Sequence, residues 1–485
     1  MSSSRRRLLL AAPLLALLTA CMTAPPAAAP AATAIPAAWR SPLPHGGSTA
    51  ALTQWWQAFE DPQLARLVER AEKGSPTLAQ AAARRRQAEA NATQARGALL
   101  PQLTANAQAQ RGRNLGALPG VSTQGSAQFN ASWEIDLFGG QRAAAEAEKL
   151  QAQAATSDWH AARVSLAADV AQAYVQLRLA QAHEESAELD ARFAEQITTW
   201  AREQQKAGLI SASDAAMLNT ERAIAVASRS QWRAEAQIAL QTLALLCGER
   251  AELLAAELVP PAVAATGFEL KRSQPRVPAF DVNALPAQLL AQRPDVAAAH
   301  QRWLAAIQQQ RSVEAQRWPQ LSLGALIGES RLRVGGASSS ASMWAIGPSL
   351  SLPLFDGGQR KARAEGAEAA ADEAGAALQA RWQTAVAEVE EALQRVTAGA
   401  EREHEVDAVK REWEGIALRS ASQAQAGLQS GVQRNTTFRN ALAAYDAVLS
   451  VRAEHALAWI RLYRSLGGGW NADTTLTNSN TAAAR

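Results

Sequence analysis

Cysteine is nearly absent from this 485-residue chain: Cys21 and Cys247 are the only two, too few for a disulfide framework. Aromatic residues make up 5% although hydrophobic residues reach 48%. That composition suits a large aromatic-rich core poorly. The alanine-dominated remainder suits long helices packed closely through small side chains. The six histidines are His45, His160, His183, His300, His404 and His455. None forms a His-x-x-x-His pair or stands at metal-ligand spacing from a cysteine. No phosphate loop, dinucleotide fingerprint or G-x-S-x-G elbow occurs, so no catalytic residue, metal ligand or cofactor is expected. Net charge is also missing. The formal +3 reflects 48 Lys+Arg against 45 Asp+Glu, and Arg5, Arg6 and Arg7 lie in a leader that holds no acid. Without the leader the balance is 45 against 45, which removes the electrostatic case for nucleic acid as a partner. Beyond the leader no run of 18 apolar residues occurs, so a transmembrane helix in the mature chain is excluded. Crossing a membrane would then require a β-barrel, because every backbone polar group needs a partner in lipid.

What is present begins with a secretory leader. Arg5–Arg7 is a basic start, and Leu8 to Leu18 is an apolar run too short to span a bilayer. Leu18-Thr19-Ala20-Cys21 resembles the lipobox of bacterial lipoproteins. That implies cleavage after residue 20 and a covalent lipid on Cys21, where several acyl chains give stable anchoring. Met22 follows, not aspartate, which by the lipoprotein rule implies sorting to the outer membrane. Residues 21–50, rich in Ala, Pro, Ser and Gly after the cysteine, read as a flexible tether.

The mature chain contains itself twice. Leu100-Pro101-Gln102-Leu103 recurs 218 residues later as Trp318-Pro319-Gln320-Leu321. Leu137-Phe138-Gly139-Gly140-Gln141-Arg142 recurs as Leu354-Phe355-Asp356-Gly357-Gly358-Gln359-Arg360. Ala207-Gly208-Leu209 recurs loosely at Ser430-Gly431-Val432. The repeats are expected at 51–250 and 283–470, with a proline-containing linker at 251–282 and a disordered tail at 471–485. Each half predicts a helix (63–99, 287–317), two short strands, a very long helix after a Gly-Gly pair (141–206, 358–427) and a shorter returning helix (212–247, 435–466). The long helices would each extend about 100 Å at 1.5 Å per residue.

Four runs alternate with period two, the mark of half-buried strands. They lie near 102–111, 126–138, 320–332 and 342–355. In the second, Ala127, Phe129, Ala131, Trp133, Ile135 and Leu137 share one face. Gln128, Asn130, Ser132, Glu134 and Asp136 share the other. Each run is long enough to cross a bilayer when tilted. The links 112–125 and 329–341 carry Gly and Ser and read as exposed loops. Four strands cannot close a barrel, since the smallest common membrane barrel has about eight. Subunits must therefore pool strands, a trimer giving twelve and a dimer eight, with Gln128, Asn130, Glu134 and Asp136 facing a water-filled lumen. Gly139, Gly140, Gly357 and Gly358 read as strand-to-helix turns.

With these segments in place, the sequence resembles the TolC-type outer-membrane efflux factors, specifically the NodT-like lipoprotein branch. The resemblance is carried by Trp55-Trp56 with Phe59-Glu60-Asp61-Pro62-Gln63-Leu64, by Trp133-Glu134-Ile135-Asp136-Leu137-Phe138-Gly139, and by Arg293-Pro294-Asp295-Val296. Leu352-Pro353-Leu354-Phe355-Asp356-Gly357-Gly358 and Leu466-Gly467-Gly468-Gly469-Trp470 complete it. It implies a mainly α fold with a membrane β-barrel portion, in which a homotrimer pools a twelve-stranded barrel and a twelve-helix periplasmic tunnel. It also implies a passive conduit of a tripartite RND-type pump in a Gram-negative outer membrane, partnered by a periplasmic adaptor and an inner-membrane transporter. The competing readings are a type I protein-secretion conduit and a lipid-anchored periplasmic coiled-coil scaffold that does not span.

The resemblance further implies that adaptors dock at the helix-hairpin tips, here Gly208, Leu209, Ser211 and Asp214 in the first half and Gly431 in the second. Gly208 suits a helix end and Ser211 an N-cap, so a structural role alone would account for both. After Gly431 the family's acidic residues are replaced by Gln433-Arg434-Asn435-Thr436, which predicts a less negative aperture with weak cation selectivity.

Overall fold

The computed structural model describes residues 56, 59–114, 120–258, 293–334 and 337–469. Cys21, the tether, residues 259–282 and the 471–485 tail lie outside them. In chain order the elements are α1 (Pro62–Gly74), α2 (Pro76–Gly97), β1 (Gln102–Asn114), β2 (Gly120–Ile135), α3 (Gly140–Lys206), α4 (Ala212–Cys247) and α5 (Ala251–Leu258). Then follow α6 (Pro294–Ala315), β3 (Gln320–Val334), β4 (Ala337–Ser351), α7 (Gln359–Gln425) and α8 (Gly431–Ser465).

Helices α3 and α7 have 67 residues each. Neither contains proline, and both are rich in alanine, glutamate, glutamine and arginine, which hold helix over many turns. No helix among the described residues is long and apolar enough to cross a membrane.

The chain divides into two compact units that cut across the sequence repeat. One holds the sheet and the helix segments 84–97, 140–156, 298–315 and 359–380. Its strands form one antiparallel sheet in the order β1-β2-β3-β4. There the backbone of Gly140 lies so close to α6 that a Cβ would stand 2.9 Å from the Ala315 methyl. The other unit holds the largest apolar core. Phe59, Leu64 and Leu67 meet Leu166, Tyr174 and Leu177 of α3, Leu243 of α4, Val389 and Leu393 of α7, and Trp459 and Ile460 of α8. Tyr174 is fully buried, and its hydroxyl donates to Asp61 at 2.7 Å. Asp61 also caps α1 by accepting from the Gln63 N–H. Cys247 is buried in the same core.

Four expectations are corrected. The helix expected over 63–99 is two helices, because Pro76 has no N–H to donate and forces Ser75 into an extended conformation (φ −66°, ψ 122°). The expected linker begins with helix α5, whose Leu254 and Leu258, one turn apart, are buried in the core. The links 112–125 and 329–341 are mostly strand: β1 and β2 pair as far as Asn114↔Gly120, and β3 and β4 as far as Val334↔Ala337. Gly, Ser and charged residues dominate these stretches and Val121, Leu332 and Val334 are isolated, so the apolar alternation lapses while the backbone ladder continues. Finally, β2 and β4 end early, at Ile135 and Ser351, leaving Leu137, Leu352 and Leu354 exposed beyond the sheet.

Candidate functional site

The strand register sorts the sheet into two faces. On one, Ile135, Leu321 and Leu350 form a row, and Trp133, Leu323 and Pro348 the next. Leu103, Ala131, Ala325 and Ile346 follow, then Ala105, Phe129, Ile327 and Trp344. Leu103 is 71% exposed, Ile327 63%, Ile346 68% and Trp344 77%, whereas Ile135, Leu321 and Leu323 nearer the helices are partly covered. From Ile135 to Ala127 the band runs about 27 Å along the strand at ~3.4 Å per residue. A tilt of ~40° leaves about 20 Å of height, close to the apolar band of membrane barrels. At its base the Trp133 indole N–H donates to the Leu99 carbonyl at 3.0 Å, and Phe138 stacks on Trp318 with centroids 5.7 Å apart.

The opposite face carries Gln128, Asn130 and Glu134, all less exposed than their apolar neighbours Phe129 and Trp133. Gln128 Nε2 donates to Asn130 Oδ1 at 3.3 Å, and Glu134 accepts from Gln141 Nε2 at 3.2 Å. Asp136 does not lie on that strand face. It lies past the end of β2, and its carboxylate accepts from the backbone N–H groups of Gln141 (3.3 Å) and Arg142 (2.9 Å). It therefore caps α3, where the unpaired N–H groups of a helix start favour a negative charge. Asp356 does the same for α7, accepting from the N–H of Gly358 at 3.0 Å and of Arg360 at 3.2 Å. Between strand and helix, Gly139, Gly357 and Gly358 take positive φ (78°, 65° and 89°), whereas Gly140 meets α6 as described.

At the first helix tip, Gly208 has φ 74°. The Leu209 N–H reaches the Gln204 carbonyl at 2.9 Å and the Gly208 N–H the Gln205 carbonyl at 3.0 Å, a Schellman end. Ser211 caps α4 by accepting from the Asp214 N–H at 3.0 Å, and its hydroxyl donates to the Asp214 carboxylate at 2.8 Å. The second tip repeats this design at residues other than those expected. The turn glycine is Gly427 (φ 72°), with the Leu428 N–H on the Gln423 carbonyl at 2.9 Å. Ser430 caps α8, accepting from the Gln433 N–H at 3.2 Å. Gly431 is the first helical residue, not the turn, and α8 begins there rather than at 435. The signal was in the chain: Ala426-Gly427-Leu428-Gln429-Ser430 matches Ala207-Gly208-Leu209-Ile210-Ser211 better than the pairing through Gly431. Leu209 and Leu428 are both strongly exposed.

Behind the tips lies a network with no sequence signature. Arg439 of α8 reaches Asp190 of α3 and Glu221 of α4, each at 3.2 Å, and Asn435 Nδ2 donates to Glu221 at 2.9 Å. Burial pushes the Asp190 carboxyl above its usual range, against the pull of Arg439. Among the described residues no group of three or more His, Cys, Asp or Glu is placed to hold a metal.

Comparison with known proteins fits this geometry. The model of the outer membrane efflux proteins matches residues 67–249 and again 285–468. This chain belongs to the outer membrane efflux protein family. The pyoverdine export outer membrane protein OpmQ of Pseudomonas putida is 31% identical over 90% of this chain and 93% of its own. Nodulation protein T of Rhizobium leguminosarum bv. viciae is 25% identical over 80% of this chain and 78% of its own, in keeping with the NodT-like resemblance. The solved outer-membrane channel OprN superposes with a TM-score of 0.75 at 28% identity, covering 93% of this chain and all of OprN. Membership places the protein in the Gram-negative outer membrane as an efflux channel, its long helices on the periplasmic side.

Proposed function

We propose that three copies of this chain pool their sheets into a twelve-stranded barrel and their helices into a periplasmic tunnel. The assembly is the passive outer-membrane conduit of a tripartite RND-type pump, exporting small molecules that an adaptor and an inner-membrane transporter deliver. The carrying observation is an open sheet that exposes one apolar face. Among the described residues its edge strands, β1 and β4, pair with no further strand. In lipid an unpaired strand edge is intolerable, so the edges of neighbouring copies must pair. Trimers with this sheet give twelve strands, within the range of membrane barrels.

The two sequence repeats supply equivalent hairpins and equivalent long helices to this assembly. Gln128, Asn130 and Glu134 face the lumen. The lipid on Cys21 adds an anchor beside the barrel. The adaptor meets the tips, where Leu209 and Leu428 offer exposed apolar contacts. The first turn of α8 holds no acid, which supports a less negative aperture with weak cation selectivity.

The test is single-channel conductance of the purified mature protein in a planar bilayer, with its mass in detergent. A trimer with small, discrete conductance is expected. A monomer without conductance overturns the reading and favours the tethered scaffold.

A further inference from the structure

The apolar face of the sheet does not end in neutral loops. Beyond the row of Phe129, Ile327 and Trp344, the same face carries Glu329, then Arg331 and Arg333 on β3, and Arg111 and Arg113 on β1. The register fixes this. Arg111, Thr123 and Arg333 share one row, Ala109, Gly125 and Arg331 another, and each is continuous with the apolar rows below. All four guanidinium groups are exposed, and none has an ion pair among the described residues. They sit at the hairpin ends of the strands, opposite the ends that lead into the helices. The same Arg-x-Arg spacing occurs in both hairpins, as Arg111-Gly112-Arg113 and Arg331-Leu332-Arg333.

The spacing defines a patch. Arg331 stands four residues beyond Ile327, about 14 Å further along the strand. Partners two residues apart on a strand are about 7 Å apart, and Arg111 and Arg333, two strands apart in one row, about 10 Å. Four guanidinium groups therefore cover an area comparable to a phosphorylated disaccharide headgroup, with Glu329 the one acid on this stretch of the face. In water such a cluster repels itself. Against phosphate it makes charge-assisted, bidentate hydrogen bonds, for which guanidinium is better suited than ammonium.

We propose that Arg111, Arg113, Arg331 and Arg333 form a binding site on the outer wall of the barrel for the phosphate groups of outer-leaflet glycolipid. The acyl chains lie along the apolar rows through Trp344, Ile346 and Phe129, and the headgroup sits on the arginines. Guanidinium groups replace the divalent cations that otherwise bridge neighbouring lipid phosphates. The bound lipid seals the rim where the apolar band ends. The inference rests on the barrel reading, which sets this face outward.

The experiment uses the full mature protein in mild detergent. Bound lipid is counted by native mass spectrometry, with a chelator present, using a bis-phosphorylated glycolipid and its dephosphorylated counterpart. The wild-type trimer is expected to hold the phosphorylated lipid about tenfold more tightly, the scale of a few surface arginines acting together. The Arg111→Gln/Arg113→Gln/Arg331→Gln/Arg333→Gln variant loses that ratio. An Arg202→Gln/Arg250→Gln variant, which removes charge from the helices and the turn after α4, keeps it. Equal binding of the two lipids by the wild type overturns the proposal, whatever the variants do. So does an unchanged ratio in the fourfold variant. Displacement by millimolar inorganic phosphate also overturns it, by making this a free-anion site. A wild-type protein that is no trimer refutes the barrel itself, an outcome that mass alone distinguishes from the others.

Discussion

Asp136 and Arg142 are joined twice: one carboxylate oxygen accepts from the Arg142 backbone N–H at 2.9 Å and from its guanidinium Nε at 3.0 Å. The pair fastens the segment just past β2 to the start of the 67-residue helix α3, beside the Gln141–Glu134 hydrogen bond. Asp136→Ala leaves the first N–H groups of α3 to water and is expected to cost about 1 kcal/mol. Asp356→Ala at the start of α7 should cost a similar amount. Denaturant unfolding of the detergent-solubilised protein checks both. A loss below about 0.3 kcal/mol for both variants would show that neither cap bears on stability.

The tips separate two uses of glycine. Gly208→Ala and Gly427→Ala place a Cβ at φ 74° and 72°, each costing about 1 kcal/mol of local stability. Gly431 has ordinary helical geometry, but a Cβ there would stand 3.0 Å from the Trp200 indole. Gly431→Ala is therefore destabilising in the wild type and neutral or stabilising in a Trp200→Ala background, where the better helix former acts unopposed. Hydrogen exchange of the α8 start reads the change of sign. The same destabilisation in both backgrounds would remove Trp200 from the argument.

Asp295 predicts an acid-labile joint. Burial would raise its carboxyl, but hydrogen bonds and charge from Arg293 and Arg381 outweigh that and hold it at about 2. Glu388 shares Arg293 at 2.6 Å. A depressed carboxyl contributes its full stabilisation above the unfolded value of roughly 4 and loses it as pH falls towards 2. The window is therefore about pH 4 to 2, and the contribution is roughly 2 kcal/mol. Asp295→Asn should be less stable at neutral pH and flatter across that window. Parallel curves for the two proteins would contradict the linkage.

The two sheet faces should respond oppositely to charge. Ile346→Lys lies in the middle row of the apolar band and should cost about 2–4 kcal/mol or block membrane assembly. Asn130→Lys, on the other face of the neighbouring row, should assemble normally and shift ion selectivity towards anions. Trimer yield in outer-membrane extracts and reversal potentials in bilayers report the two effects. Equal assembly of both variants would mean the faces are misassigned.

The sequence alone determined the period-two runs, the long alanine-rich helices and the twofold recurrence of landmarks, because each is a local pattern with one stable solution. Those patterns placed α3 at Gly140–Lys206 within a residue of expectation. They failed where local chemistry is ambiguous. Polar residues at the hairpin ends read as loops, yet their backbones continue the ladder, which needs no apolar side chain. Asp136 continued the strand alternation, yet the helix start behind it captured its carboxylate. Only the tertiary structure decided which residues meet across long separations: Arg439 with Asp190 and Glu221, Gly431 with Trp200, and the two arginine pairs on one face. Register and helix packing set those pairings, and both are properties of the whole fold, not of any stretch of chain.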